Sequence, residues 1–172
     1  PSAWERPNSE EQLADVVRRA AAAGRTVRAV GSGHSYSSIA CTDGHLVDLS
    51  GYDRVLAADP STGVVTVQAG MPLRRLNEEL AARGLAMEVL GDINYQSVAG
   101  ALSTGTHGPG IRYPAPSARM LSCRIVAGDG REFHRRAFAA HDLRRGDAAV
   151  VYRRVETMLQ AAFGADFAGL PE

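Results

Sequence analysis

The chain has 172 residues, enough for one domain or two small lobes sharing a core. Nineteen basic and nineteen acidic residues give a net charge of zero, so nothing favours a polyanionic partner such as nucleic acid. Two cysteines cannot build a disulfide framework and match no zinc spacing, and no apolar run approaches the ~20 residues that span a bilayer.

The first residues, Ala3-Trp4-Glu5-Arg6-Pro7, predict a short extended lead-in, closed by a proline with no N–H to give. A helix follows. Ser9 with Gln12 forms a capping-box pattern, Leu13, Val16, Val17 and Ala20 share one face, and Gly24 is a natural stop. Residues 26–30 predict a strand running straight into Gly31-Ser32-Gly33-His34-Ser35. A second strand is expected at 45–49. A hairpin is expected from 54–58 and 64–69 across the turn-rich Asp59-Pro60-Ser61-Thr62-Gly63, with Val65, Val67 and Ala69 inward and Thr66 and Gln68 wet. Pro72 near N1 opens a helix that points Leu73, Leu76 and Leu80 inward and stops at Gly84. After an apolar stretch at 85–90, Ser97 caps a short helix over 98–102 that breaks at Thr104-Gly105. Residues 121–127 and 131–134 predict strands joined by Gly128-Asp129-Gly130, and a last helix is expected at about 148–163.

Two stretches stand out chemically: Gly31-Ser32-Gly33-His34-Ser35 and the run at 97–108, which contains Ser97, Gly100, Thr104, Gly105, Thr106 and His107. Both are built from glycines and hydroxyls, the composition that lets backbone N–H groups approach an anion. The order helix, strand, glycine loop does not match a Rossmann fingerprint, which needs strand, G-x-G-x-x-G, helix; the third glycine position here is Tyr36. Other pyrophosphate-binding arrangements stay open. His45, His134 and His141 fit no site, and Cys41 and Cys123 are expected to be reduced thiols.

Gly31-Ser32-Gly33-His34-Ser35 followed by Ile39-Ala40-Cys41-Thr42-Asp43-Gly44 resembles the flavin-attachment segment of the aldonolactone oxidases. These include L-gulono-1,4-lactone and D-arabinono-1,4-lactone oxidases, with alditol oxidases as relatives, within the vanillyl-alcohol oxidase class. The helix after Pro7, the strand at 64–72 and the run at 97–108 resemble the same family in the same order, from about Trp4 to about Arg131. The resemblance implies an α+β (α/β) fold of the PCMH type: an FAD-binding domain at 1–134, with a small, mainly parallel lobe at about 1–52 and a larger mixed or antiparallel lobe at about 53–134. Residues 135–172 diverge from the pattern.

The cofactor so implied is FAD, with Gly31, Ser32, Gly33 and Ser35 around the pyrophosphate and His34 bonded to the flavin 8α-methyl. Asp92, Ser97, Gly100, Thr104, Gly105, Thr106 and His107 would line it from the other side. The implied activity is oxidation of a sugar 1,4-lactone (or alditol) by hydride transfer to flavin N5. The alternative is a flavin-binding remnant or partner module without turnover. The family's Leu-Gly-Ala-Leu-Gly-Val-Val-Thr segment, its cap domain and its His-Trp-Gly-Lys motif have no counterpart here. The expectation is therefore a shortened chain holding the FAD half, with an exposed sheet edge through which copies could pair. The chain starts at Pro1 without Met, and an upstream segment is expected to have been lost. The expected location is a bacterial cytoplasm; membrane association is the open alternative, with no residues indicating it.

Overall fold

A computed structural model of the chain describes residues 1–136. The helix expected at 148–163 and His141 lie outside the described residues.

The elements follow in the order β1 (Ala3–Glu5), α1 (Glu10–Ala22), β2 (Val27–Val30), β3 (His45–Asp48), β4 (Val55–Asp59), β5 (Val64–Val67), α2 (Leu73–Ala81), α3 (Val98–Ser103), β6 (Ser122–Val126) and β7 (Glu132–Arg136). Among the described residues, β1, β3 and β2 form one parallel sheet in that spatial order, while β4–β5 and β6–β7 are antiparallel hairpins. Parallel strands need crossovers: α1 carries the chain from β1 to β2, and residues 31–44 carry it back to β3 between them.

Local signals set the ends of α1 and α2. The Ser9 hydroxyl accepts the Gln12 N–H at 3.2 Å, and the Gln12 side chain reaches back to the Asn8 N–H at 3.0 Å, one residue beyond the reciprocal box. At the other end Gly24 sits at φ +61°, and the Gly24 and Arg25 N–H groups return to Ala21 and Ala20. Gly84 repeats this device after α2: its φ is +71°, and the Leu85 N–H returns to Leu80. Pro72 is the N-cap of α2 rather than its first helical residue.

The apolar residues gather in two places. Ala14, Val16, Val17 and Ala20 of α1 are buried, as are Leu46 and Val47 of β3. Leu13, expected among them, is half-buried because it lines an apolar cleft of about 410 Å³ with Val17, Val27, Val47, Leu49 and Val126. The larger core joins Met71, Leu73, Leu76, Leu80, Val98 and Ala101, with Val55, Val65 and Val67 of the β4–β5 hairpin packed on it. The inward leucines of α2 are those the periodicity predicts.

Gln68 departs from the predicted alternation. It is 5% exposed, and its amide oxygen accepts the Arg54 N–H at 2.9 Å. Strand β5 ends at Val67, so the period-2 rule no longer applies at Gln68, and its polar group is satisfied by backbone instead of water.

An ion network fastens α1 to the sheet. Glu5 receives Arg19 at 3.2 Å and lies 3.0 Å from His45 Nδ1. Hydrogen bonding from Arg19 holds the Glu5 carboxyl below the ordinary glutamate pKa against the opposing effect of burial, and His45 adds to the pull. A carboxyl whose folded pKa is depressed contributes stability that is fully present above its unfolded value and lost as pH falls through its folded value. Glu5→Gln is therefore expected to flatten the acid limb of a plot of urea midpoint against pH, leaving the limb above neutrality unchanged. An unaltered acid limb would show that the network contributes nothing.

Candidate functional site

The first glycine run leaves the carboxyl end of β2, where parallel sheets place their ligand-binding loops. Gly33 has φ +78°, a region open to glycine, and Tyr36 has φ +48°. Among the described residues, no acceptor is paired with the N–H groups of Ser32, Gly33, His34 or Ser35. Buried N–H groups are almost always paired; four consecutive exposed or half-exposed ones on a glycine loop form a concentration of donors.

The second run is held differently. The Ser97 hydroxyl caps α3 by accepting the Gly100 N–H at 3.2 Å. The Val98 and Ala99 N–H groups bond to the Met71 and Ala69 carbonyls at 2.8 and 2.9 Å, the Ala101 N–H to Ser97, and the Thr106 N–H to Ala101. The expectation that both runs offer N–H groups to an anion is thus narrowed: the donors at 98–101 and at Thr106 are taken. The start of α3 is packed against the chain entering α2, which takes up its free donors. What this run presents is hydroxyls and close backbone. Thr104 donates to the Gly100 carbonyl at 2.8 Å, and the Gln96 amide donates to the Thr106 hydroxyl at 3.0 Å.

The two runs meet at Ser97. A Cβ added to Gly31 would lie 3.1 Å from the Ser97 hydroxyl, and one added to Gly100 would lie 3.0 Å from it. Gly31, Ser97 and Gly100 are therefore brought together from distant parts of the sequence. Gly105 closes α3 at φ +64°. Gly91 lies against Thr106, a Cβ there falling 3.0 Å from the threonine methyl, so the turn carrying exposed Asp92 runs beside 106–107. His107 is exposed, with Nδ1 3.1 Å from the Gly108 carbonyl.

His34 is half-buried, and its Nδ1 is buried without a hydrogen-bond partner. Its ring stacks near Tyr95 (centroids 6.5 Å apart, planes at 25°) and meets Tyr36 edge-on at 6.2 Å. Arg74 lies over the Tyr95 ring at 5.7 Å. Tyr36, Arg74, Tyr95 and Gln96 are site neighbours that sequence reasoning does not select. Tyr36 directly follows the first run and Tyr95 stands two residues before Ser97, positions that carry no signal of their own.

These residues suit a dinucleotide. The donor-rich loop matches a pyrophosphate, the glycines at 31 and 100 keep the surface beside Ser97 free of side chains, and the His34 Nδ1 is left without a hydrogen-bond partner. The pattern known as FAD binding domain matches residues 1–135. The chain belongs to the FAD-binding domain family. Its cofactor is FAD. Over 130 residues it is 52% identical to the L-gulono-1,4-lactone dehydrogenase of Mycobacterium tuberculosis, covering 76% of this chain and 30% of that one. It is 40% identical over 134 residues to the D-arabinono-1,4-lactone oxidase of Yarrowia lipolytica, covering 76% and 26%. The FAD-binding chain thus spans less than a third of the length of these relatives. In fold it is similar to 6-hydroxy-D-nicotine oxidase from Arthrobacter nicotinovorans, with a TM-score of 0.69 over 77% of this chain and 29% of that structure at 22% identity. The parallel sheet, the antiparallel hairpins and the helices agree with the PCMH-type fold expected of the sequence.

Ser97→Ala removes the cap of α3 and the hydroxyl that faces Gly31. The expected loss is about 1 kcal/mol of stability by urea unfolding. The same variant is expected to retain FAD more weakly. A variant as stable as the wild type would mean that the hydroxyl does not cap.

Proposed function

We propose that this chain is the cofactor-holding part of an FAD-dependent oxidoreductase that acts on a sugar 1,4-lactone, with L-gulono-1,4-lactone or D-arabinono-1,4-lactone as substrate. The observation that carries this reading is the meeting of the two glycine runs at Ser97, with a donor-rich loop on one side and hydroxyls on the other. The substrate class rests on the names of relatives that are 52% and 40% identical over 76% of this chain.

In this reading Gly31, Ser32, Gly33 and Ser35 bind the pyrophosphate through backbone N–H groups and hydroxyls. Ser97, Gly100, Thr104, Gly105 and Thr106 line the cofactor from the other side, with Asp92 and His107 at its rim. When bound, FAD supplies the hydride-accepting N5 and the redox chemistry. His34 would be the attachment residue, its imidazole bonding the flavin 8α-carbon; among the described residues its Nδ1 has no hydrogen-bond partner. Attachment would replace one imidazole N–H and one C–H of the flavin methyl, with dioxygen taking up the two electrons and two protons as hydrogen peroxide. The two apolar sets, around Ala14 and around Met71, support a division into lobes at about residue 52; the β6–β7 hairpin, expected in the second lobe, meets α1 of the first through Arg124 and Glu10. Cys41 and Cys123 are free thiols, and no helix among the described residues is long and apolar enough to cross a membrane. Free thiols suit a reducing compartment, and we place the protein in the cytoplasm.

Intact mass after denaturation tests the attachment. Protein expressed with ample flavin is expected to gain the mass of one FAD, and His34→Ala to lose that gain while still binding FAD reversibly. Bleaching of the visible flavin band by L-gulono- or D-arabinono-1,4-lactone in the absence of oxygen tests the substrate. Bound flavin that neither lactone bleaches would reduce this chain's role to holding the cofactor, and colourless protein would overturn the reading altogether.

A further inference from the structure

A buried polar atom without a partner calls for an explanation, and His34 Nδ1 is the one such side-chain atom among the described residues. Hydrogen bonding at that nitrogen does not orient the imidazole, so packing must do so. The ring has two aromatic neighbours, Tyr95 nearly parallel to it and Tyr36 edge-on, both at separations where aromatic pairs attract. Tyr36 is 89% exposed. Tyr95 is 58% exposed, yet its backbone is pinned on both sides. The Asn94 carbonyl accepts the Arg74 N–H at 2.7 Å, and the Gln96 carbonyl accepts the Leu73 N–H at 2.9 Å, so Tyr95 is suspended between two bonds to the first turn of α2. Arg74 from that same turn lies within cation–π range of the tyrosine ring.

We propose that Tyr95, braced by Arg74, is a positioning residue that holds the His34 imidazole in the orientation needed to attach the flavin. This rests on the reading of His34 as the attachment residue. The stack uses the ring face and leaves the phenol free. Tyr95→Phe therefore keeps the function, whereas Tyr95→Leu keeps apolar bulk and removes the face. Arg74→Gln loosens the brace without touching His34.

The test uses the full chain and three readouts. The ring-proton NMR shifts of His34 in flavin-free protein report the stack. The rate at which added FAD becomes acid-stable, followed by intact mass, reports attachment. Fluorescence quenching at equilibrium reports reversible FAD binding. Tyr95→Leu is expected to move the His34 shifts and slow attachment about tenfold or more, because a misplaced nucleophile loses its near-attack geometry. Its reversible affinity should stay close to that of the wild type. Tyr95→Phe should match the wild type in all three, and Arg74→Gln should fall between. Attachment by Tyr95→Leu at the wild-type rate overturns the role of Tyr95 while leaving that of His34 intact. A proportionate loss of reversible affinity overturns it too, assigning Tyr95 to direct cofactor contact. Wild-type chain that binds FAD and never attaches it overturns both roles together.

Discussion

Gly70→Ala is expected to be among the most damaging single-methyl additions in this chain. The Cβ would fall on the Leu49 carbonyl oxygen, far inside van der Waals contact, with the Tyr52 carbonyl oxygen only 2.8 Å away. Both neighbours are backbone, so no side chain can swing aside. The contact is held shut by the Gly70 N–H bonding to Tyr52 at 2.9 Å and the Tyr52 N–H bonding to Leu49 at 2.8 Å. Overpacking of this kind costs about 3 kcal/mol or more, a large part of a small domain's stability. The damage also reaches the site. The Ala69 and Met71 carbonyls flanking Gly70 accept the first two N–H groups of α3, so displacing 69–71 pulls Ser97 away from Gly31. Urea unfolding and flavin retention should therefore fail together. Gly24→Ala is the control: open space surrounds Gly24, its only demand is φ +61°, and the expected loss is about 1 kcal/mol with flavin retained. Equal losses in the two variants would refute the close contact at Gly70.

Wherever a short-range rule decides the structure, it is legible in the sequence. Ser9, Gly24, Pro72 and Gly84 mark helix ends through chemistry that spans a few residues, and the helices end near them. The inward leucines of α2 follow from period alone. Gln68 departs from alternation because its partner, the Arg54 N–H, lies across the hairpin. The two glycine runs read alike as composition, yet one leaves a strand with unpaired donors and the other begins a helix whose first donors are taken by Ala69, Met71 and Ser97. That difference is a long-range packing fact. Tyr95 was invisible for the same reason: nothing in the sequence brings it to His34, and the structure does so by hanging 94–96 on the start of α2. The family resemblance reached the glycines and His34, where the motif constrains them, but not the aromatic residues that surround the imidazole.

Gly31→Val is expected to abolish flavin retention at a smaller cost to the fold. Unlike Gly70, Gly31 is exposed, and an added Cβ would meet only the Ser97 hydroxyl within 4 Å, at 3.1 Å. That hydroxyl is buried and already committed to the Gly100 N–H, so it cannot retreat without uncapping α3. A single methyl can be met by a shift of a few tenths of an ångström, and Gly31→Ala should keep FAD with affinity reduced about tenfold, equivalent to about 1.4 kcal/mol. The two further methyls of valine must go either into Ser97 or into the space between the loops. The first choice removes the cap, worth about 1 kcal/mol, and the second fills the place where backbone has to approach the pyrophosphate. The loss should therefore show in cofactor binding more than in unfolding: colourless protein after desalting, with a urea midpoint only modestly lowered. A yellow Gly31→Val protein would mean that the cofactor does not run over the surface that Gly31 and Ser97 share. The 97–108 run would then have to be reassigned from the cofactor wall to scaffold, leaving the unpaired donors of Ser32 to Ser35 to carry the cradle.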